Sequence, residues 1–146
     1  MFTVENDPPV AQILRLLRDA GLPTADIGAG VPQKFFGLRD AANRDNWIGV
    51  IGVERYGDDA LLRSLAVDPA VRGRGVGAAL VAAVEAWARA NGCARVVLLT
   101  TTARGYFSEL GYRDVPRGSL SAALAASSQA ASVCPTSAAV MAKVLG

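Results

Sequence analysis

The stretch LAVDPAVRGRGVGAALVAAVEAWARANG, residues 65–92, determines the fold class of this 146-residue chain. It begins as an apolar strand, passes through an Asp-Pro pair and enters a turn that is rich in glycine and arginine. A helix is predicted from about Val76 to Asn91, because apolar residues recur at helical spacing until Gly92 ends it. A strand, a glycine-rich turn and a helix in this order are typical of a site that binds an anion at the start of the helix.

The turn Arg72-Gly73-Arg74-Gly75-Val76-Gly77 has the chemistry of a phosphate site. The first helical turn leaves backbone N–H groups unpaired, glycines let a phosphate come close to them, and two arginines add positive charge. A Walker loop is excluded because no Gly-Lys-Ser/Thr occurs here. A dinucleotide-binding loop fits poorly, since residues 68–72 separate the turn from its strand and no acidic residue ends the next strand. A solvated turn without a ligand is the remaining alternative.

Apolar patterns on both sides of this stretch predict the other elements. Strands are predicted at Lys34–Leu38, Trp47–Tyr56, Leu61–Val67, Ala94–Thr100, Tyr112–Val115 and Thr136–Leu145, and further helices after an Asp7 cap up to Gly21 and at Arg104–Leu110. The early strands form an antiparallel meander, whereas the apolar run that ends at Thr100 suits a buried parallel strand. The Ala/Ser-rich segment Ser119–Ser132 is either flexible or helical, and the helix propensity of alanine favours a helix.

Composition agrees with one folded domain. The chain is 51% apolar and 19% charged, which excludes disorder, and its length leaves no room for two sizeable cores. Positive and negative charges nearly balance, and a net charge of +2 is too small for a protein that binds nucleic acid or an anionic membrane. The predicted fold is a single α/β domain of the α+β type, in which helices flank a mixed, largely antiparallel sheet.

Histidine is absent and only two cysteines occur, Cys93 and Cys134. These counts exclude histidine-dependent nucleophiles, histidine-bound metals and a four-cysteine zinc site, so no metal is expected. Proton transfer must then involve a carboxylate, tyrosine, cysteine, lysine or water. The lack of a disulfide framework, of a signal-peptide pattern and of a long apolar run predicts a cytoplasmic protein outside the membrane. The apolar excess is compatible with a homodimer.

Leu65-Ala66-Val67-Asp68-Pro69, followed by Arg72-Gly73-Arg74-Gly75-Val76-Gly77 and Leu80, resembles the acetyl-coenzyme A motif of the GNAT N-acetyltransferases. The resemblance implies that the loop amides hold the pyrophosphate of acetyl-CoA. It also implies that the strand Leu65–Val67 splays from its neighbour and that its backbone holds the pantetheine and the thioester.

Within that family the sequence is most similar to the N-acetyltransferases of arsenic-resistance operons. The shared features are Gly52–Gly57, Leu61–Val67, Leu98–Ala103 and Cys134–Ala138. The Leu-Thr-Thr stretch followed by an aromatic pair is also similar to N-acetylglutamate synthases. Both likenesses imply an amino-acid-like amine as acceptor, and two thiols without a third do not make an arsenic site.

One position departs from the family pattern. Many members have Asn, Ala and Tyr where this chain has Thr100, Ala103 and Phe107, and that tyrosine protonates the departing thiolate. Phe107 has no proton to give. The neighbouring Tyr106 is the candidate acid, although one helical step turns a side chain by about 100°. Solvent, or a thiolate stabilised by backbone amides, is the alternative.

Two charged residues on predicted strands are candidates for catalysis and acceptor binding. Glu54 is the candidate base, or else a solvent-facing residue or an ion-pair partner. Arg63 lies within the most apolar strand, where an unpaired charge is costly, so it either forms a salt bridge or binds the carboxylate of the acceptor. A two-residue loop Asp58-Asp59 would place Glu54 opposite Arg63, whereas a three-residue loop would put them on opposite faces.

Three polar residues complete the predicted acceptor site: Ser64, Thr100 and Thr101. The threonines end a strand on the side where ligands lie in open sheets, although simple strand-end capping would also explain them. The predicted function is direct transfer of an acetyl group from acetyl-CoA to a small primary amine. The alternatives are a non-catalytic module that binds or senses acyl-CoA and, less compatible with the loop, an interaction protein that uses its apolar surface.

Overall fold

The structure, a computed structural model, describes residues 2–28, 32–127 and 138–146. Its strands are β1 (Glu5–Asn6), β2 (Gln33–Arg39), β3 (Trp47–Tyr56), β4 (Asp59–Val67), β5 (Arg95–Thr100), β6 (Arg113–Asp114) and β7 (Ala139–Val144). Its α-helices are α1 (Val10–Asp19), α2 (Val76–Ala90), α3 (Arg104–Glu109) and α4 (Ala122–Ala125). Within the described residues, all seven strands join one sheet in the order β1-β2-β3-β4-β5-β7-β6.

Helices cover both faces of this sheet. On one face, α2 packs Leu80 and Val84 into a buried cluster with Ile51 of β3. On the other face, α1 packs Leu17 against Val50 of β3 in a second cluster. Neighbouring residues of a strand point to opposite faces, and helices cover both faces here. As a result, β3 is buried along almost its whole length. The predicted mixed, largely antiparallel sheet flanked by helices is confirmed, and β4 and β5 form its parallel pair.

The hairpin between β3 and β4 differs from the predicted one by its loop. Tyr56 pairs with Asp59, so the two loop residues are Gly57 and Asp58, and the predicted Asp58-Asp59 loop is wrong. Gly57 has a φ of 62°, a left-handed conformation that glycine adopts without strain, which explains why the turn starts one residue earlier.

This register still brings the two predicted charges together. Glu54 pairs with Leu61, and Arg63 pairs with Gly52, so Glu54 and Arg63 are diagonal neighbours rather than directly opposite. Both side chains lie on the same face of the sheet, because the observed register differs from the predicted one by two residues.

A β-bulge interrupts β4 just beyond Arg63. Val50 pairs with Ala66 while Gly52 pairs with Arg63, so Ser64 and Leu65 together lie opposite Ile51. Ser64 has a φ of 57°, which is unusual for a residue other than glycine. The same strand pairs with β5 only from Asp59 to Leu61. The two strands diverge after that point, and the divergence opens the cleft described below.

Three predicted elements are wrong in detail. Asp7 does not cap α1: its φ is 55°, its amide donates to Phe35, and Pro9 is the residue that precedes the helix. The predicted strands at Tyr112–Val115 and Thr136–Leu145 are shorter, being β6 and β7, and residues 136–137 lie outside the described part.

The predicted helix at Ser119–Ser132 is a single turn, α4, in the residues described, and residues 128–132 lie outside them. Leu124 is buried in a cluster with Tyr56 and Leu61, and Leu120 packs in the same cluster. The alanines on either side have little apolar surface to bury, so a high helix propensity alone does not extend the helix.

Candidate active site

Two cavities meet in the cleft between β4 and β5. The inner cavity, of about 330 Å³, is lined by Leu62–Leu65 of β4 and by residues 98–103. The loop cavity, of about 720 Å³, lies between Leu65–Val67 and the glycine-rich turn. Five residues line both cavities and define what we call the junction: Leu22, Leu65, Thr102, Ala103 and Tyr106. Two molecules that occupied the two cavities would therefore meet at this junction.

The glycine-rich turn presents backbone amides to the loop cavity. Gly73 and Gly75 have φ values of 81° and 84°, and Gly75 immediately precedes the first residue of α2. Helix geometry leaves the amides of that first turn without partners inside the helix. Gly75, Val76 and Gly77 all line the cavity. This arrangement fits an anion, because unpaired amides and the positive end of a helix point into open space.

The two arginines of the turn lie on different sides. Arg72 lines the loop cavity, in agreement with the predicted phosphate role. Arg74 instead lines a separate cavity of about 230 Å³, beside Arg39 and Arg44. A role of Arg74 at the phosphate stays a prediction, since its side chain is not among those that line the loop cavity.

Arg63 is the centre of a buried ionic cluster. Its guanidinium donates from Nη1 and Nη2 to the two carboxylate oxygens of Asp26, at 2.6 and 2.7 Å, and from Nη1 to Oε2 of Glu54 at 2.8 Å. Its Nε donates to Oγ of Ser64 at 3.1 Å. Burial acts to lower the pKa of Arg63, but the hydrogen bonds of Asp26 and Glu54 outweigh it, so the pKa is raised and the group stays charged.

Arg63 is the charged residue among the described residues beside the inner cavity, but its side chain is fully buried in the ionic cluster and has no exposed area. Ser64 lines it as well, and its φ in the bulge turns it away from the regular alternation of the strand. The structure therefore brings the two predicted acceptor-binding residues of β4 together at the wall of one cavity.

Glu54 is buried behind that wall and lines neither of the two cavities. Its carboxylate accepts hydrogen bonds from Arg63, from Nε2 of Gln33 at 2.9 Å and from the hydroxyl of Tyr56 at 2.5 Å. Burial, and then the hydrogen bond to Glu54, raise the pKa of Tyr56. Three donors on one carboxylate indicate the predicted ion-pair role, and the role of base stays a prediction that would need a path through water.

Tyr106 and Phe107 both lie at the cleft, on α3. Tyr106 is 41% exposed and belongs to the junction, and a Cβ added to Gly77 would collide with its hydroxyl. Phe107 is buried and lines the inner cavity, with its ring edge-on to those of Tyr106 and Tyr112. Burial raises the pKa of Tyr106, so its hydroxyl is protonated at neutral pH and can donate.

The threonines at the end of β5 also line the inner cavity. Thr100, Thr101 and Thr102 are among its lining residues. The Oγ1 of Thr100 accepts a hydrogen bond from the amide of Ala103 at 3.0 Å, so Thr100 caps the strand end as well. Thr101 and Thr102 are exposed, and their hydroxyls are the polar groups at this wall.

Sequence reasoning missed the contribution of the segment after α1. Gly21, Leu22 and Pro23 line the inner cavity, and Asp26, a few residues on, is the main partner of Arg63. The segment reads only as a loop rich in glycine and proline, without periodicity. A buried arginine in a predicted strand was the one signal that some carboxylate had to be near it.

Cys93 is buried, and burial raises the pKa of its thiol. Cys134, considered as a ligand contact, lies outside the described residues. Within the described ranges, no three cysteine, aspartate or glutamate side chains are grouped so that they could hold a metal ion. In the same ranges, no helix has both the length and the apolar character needed to cross a membrane.

Comparison with known proteins gives a family match and structural neighbours. Residues 8–112 match the sequence model of the acetyltransferase (GNAT) family. No curated protein matches the sequence of the chain. The fold is similar to N-acetylglutamate synthase from Neisseria gonorrhoeae complexed with coenzyme A and N-acetyl-glutamate, with a TM-score of 0.79 and 18% identity. This alignment covers 100% of the present chain but 35% of that structure, so the chain spans about a third of the synthase.

Two further structures match over their whole length. A Mycobacterium tuberculosis protein in complex with CoA has a TM-score of 0.81 at 20% identity, with 99% of both chains covered. An acetyltransferase of the GNAT family from Staphylococcus aureus has a TM-score of 0.74 at 13% identity, with 100% of both chains covered. At these identities the neighbours establish the shared fold.

Proposed function

The chain belongs to the acetyltransferase (GNAT) family, and on this basis we propose that it transfers an acetyl group from acetyl-CoA to the primary amine of a small, amino-acid-like acceptor. The observation that carries the proposal is the junction, where the loop cavity and the inner cavity share Leu65 and Tyr106. A donor and an acceptor placed in the two cavities would have their reacting groups side by side.

The residues of the loop cavity fit coenzyme A. The amides of Val76 and Gly77 would hold the diphosphate, with Arg72 adding charge, and the backbone of Leu65–Val67 would hold the pantetheine arm. Acetyl-CoA, when bound, supplies an activated acyl group. Beyond Leu61 the backbone of β4 no longer pairs with β5, and its groups on that side would hydrogen-bond the thioester carbonyl and stabilise the charge that develops on its oxygen.

The transfer is balanced without a covalent enzyme intermediate. The amine nitrogen forms a bond to the acyl carbon, the carbon–sulfur bond breaks, the amine loses a proton and the thiolate gains one. Tyr106 is the protic aromatic residue at the junction, and solvent is the alternative proton donor. Glu54 can accept the proton of the amine only through water, because it lies behind the cavity wall and Arg63 beside it stays charged.

The chemistry of the inner cavity supports an amino-acid-like acceptor. Its volume of about 330 Å³ suits a small molecule, and its lining combines apolar side chains with Ser64 and threonine hydroxyls, while the adjacent Arg63 side chain is fully buried. The likeness to arsenic-resistance N-acetyltransferases adds the proposal that the acceptor is connected with arsenic resistance. The chain has only two cysteines and so no disulfide framework, which supports a cytoplasmic location.

A non-catalytic acyl-CoA-binding module is the second candidate, and Phe107 favours it because this residue has no proton for the thiolate. The deciding experiment measures the free thiol released from acetyl-CoA when amino acids, acidic amino-acid analogues and polyamines are added. The proposal expects release that depends on an amino-acid amine. Binding of acetyl-CoA without release by any amine would instead identify the binding module.

A further inference from the structure

We propose that the acceptor has an uncharged side chain, which the inner cavity binds while it discriminates against an acidic one. The inference rests on the proposed acetyl transfer and names the class of amine that the same site selects. It follows from two observations: the described lining of the inner cavity offers no accessible charge, and the ionic cluster beside that lining has an excess of negative groups.

The lining of the inner cavity is uncharged where a bound molecule can touch it. Among the described lining residues only Arg63 is charged, and its side chain is 0% exposed, so the guanidinium is out of reach. The other polar side chains of this lining are those of Ser64, Tyr106 and the threonines at the end of β5, and all of them are hydroxyls. The segments 29–31 and 128–137, outside the described part, contain no Asp, Glu, Lys or Arg in the sequence. They therefore cannot supply a charged side chain.

The ionic cluster beside this lining holds two carboxylates and one guanidinium. Arg63 donates to Asp26 at 2.6 and 2.7 Å and to Glu54 at 2.8 Å. Gln33 and Tyr56, which also donate to Glu54, are neutral. Because the side chains of Asp26 and Glu54 are only 6% and 3% exposed, water does little to screen them. With both carboxylates ionised, these three groups carry one net negative charge next to the inner cavity.

These two features act against a charged side chain on the acceptor. A carboxylate that entered the inner cavity would lose its hydration without gaining an opposite charge, and the net charge of the cluster would repel it. A basic side chain would find no carboxylate to contact, since Asp26 and Glu54 are not among the described lining residues. A neutral amide, hydroxyl or apolar group loses less hydration, and the hydroxyls of Thr101 and Thr102 can bond to the polar ones.

The test ranks amino acids by the charge of their side chains. Thiol release from acetyl-CoA is measured with neutral, acidic and basic amino acids, and glutamine is paired with glutamate and asparagine with aspartate. The members of each pair are nearly equal in size and share the α-amine and the α-carboxylate, so the ratio isolates the charge of the side chain. We expect the best acceptor to be neutral, and each amide to exceed its acid in kcat/KM by about tenfold or more.

Thr101→Lys tests whether the side chain of the acceptor lies in the inner cavity. Thr101 is exposed and lines this cavity, so the variant should fold and place a positive charge at the wall. It should shift the ratio by about tenfold toward glutamate. Ser108→Lys is the matched control, because Ser108 is an exposed residue of α3 that is not among the described lining residues of either cavity. It adds the same charge and should leave the ratio unchanged.

The outcomes separate this inference from the proposed function. A best acceptor with a charged side chain, or a ratio in Thr101→Lys equal to that in Ser108→Lys, overturns the inference and leaves acetyl transfer in place. A wild-type protein that releases no thiol with any amine overturns the proposed function, and the inference falls with it.

Discussion

Gly75 combines two demands at one residue: a left-handed backbone and a place at the start of α2 beside the loop cavity. An added Cβ would meet only Phe2, at 3.9 Å, so space is not the constraint and backbone conformation is. A β-branched residue at this φ would rotate the amides that follow it.

Gly75→Val should therefore abolish the rise in melting temperature that acetyl-CoA gives to the wild-type protein. Gly92→Val is the control, because Gly92 has a φ of 77° at the opposite end of the same helix and also has open space around it. That variant should lose stability yet keep the cofactor-dependent shift. A full shift in Gly75→Val would place the cofactor elsewhere.

Tyr106 and Phe107 allow the proton donor to be tested in both directions. The Tyr106 hydroxyl lies against Gly77, on the side of the loop cavity, so we expect Tyr106→Phe to lower kcat only a few-fold. Phe107→Tyr introduces a hydroxyl at the wall of the inner cavity and should raise kcat. A loss on the order of 10²-fold in Tyr106→Phe would instead identify Tyr106 as the acid.

Contacts in the site could be predicted from the sequence only where the two residues lie close together in the chain. Glu54 and Arg63 belong to one hairpin, and strand alternation was enough to predict their contact even though the loop was misplaced by one residue. Asp26 could not be predicted as a partner, because it comes from an irregular loop and reaches Arg63 across 37 positions. Only the folded sheet brings them together.

At the scale of elements, a cluster of polar side chains connects α2 to β7 and to the chain after α3. Glu85 of α2 accepts hydrogen bonds from the hydroxyl of Tyr112 at 2.9 Å and from Nζ of Lys143 on β7 at 3.2 Å. Lys143 also donates to the carbonyl of Leu110, just after α3. The cluster therefore links α2, α3 and β7 behind the cleft.

Lys143→Met should destabilise the protein by about 2 kcal/mol, since it leaves the buried carboxylate of Glu85 with one donor fewer. Arg104→Met removes an exposed ion pair with Asp114 at the start of α3 and is the comparison. It should leave the free energy of unfolding nearly unchanged, because solvent screens exposed pairs. Chemical denaturation of both variants measures the difference, and equal losses would contradict the account.

Elements with a strong apolar pattern were predicted well, and those without one were not. The limits of β3 agree with the prediction, and the parallel position of β5 followed from its unbroken apolar run. The Ala/Ser segment had propensity but few large apolar side chains, so packing at Leu120 and Leu124 limits it to one turn of helix in the described part. The bulge at Ser64 had no signal in the sequence.

At the scale of the whole molecule, two buried tyrosines contribute to the response to alkali. Burial, followed by neighbouring carboxylates, raises the pKa of Tyr56 and of Tyr112 above the ordinary value of 10.0. Above that pH the unfolded chain loses these protons while the folded chain keeps them. The free energy of unfolding therefore falls as the pH rises past about 10 and is unaffected by these groups below it.

Tyr112→Phe should make this fall shallower, by up to about 1.4 kcal/mol per pH unit for the one group removed. Denaturation curves between pH 8 and about pH 11.5 measure the slope, which is compared between the variant and the wild-type protein rather than the stability itself. The variant also loses a hydrogen bond to Glu85, which lowers its stability equally at each pH. Identical slopes would contradict the prediction.

The divergence of β4 from β5 creates an edge in the interior of a sheet. Exposed edges at the rim of a sheet attract the strands of other proteins and so favour aggregation. This edge lies between the start of α2, Tyr106 and the loop after α1, where another polypeptide strand with its side chains would collide with the walls. A ligand that is narrower than a polypeptide strand and carries amide groups, as the pantetheine arm of coenzyme A does, would still fit. The backbone groups of this edge can therefore hydrogen-bond to a ligand, whereas a strand from another copy of the protein cannot pair with them.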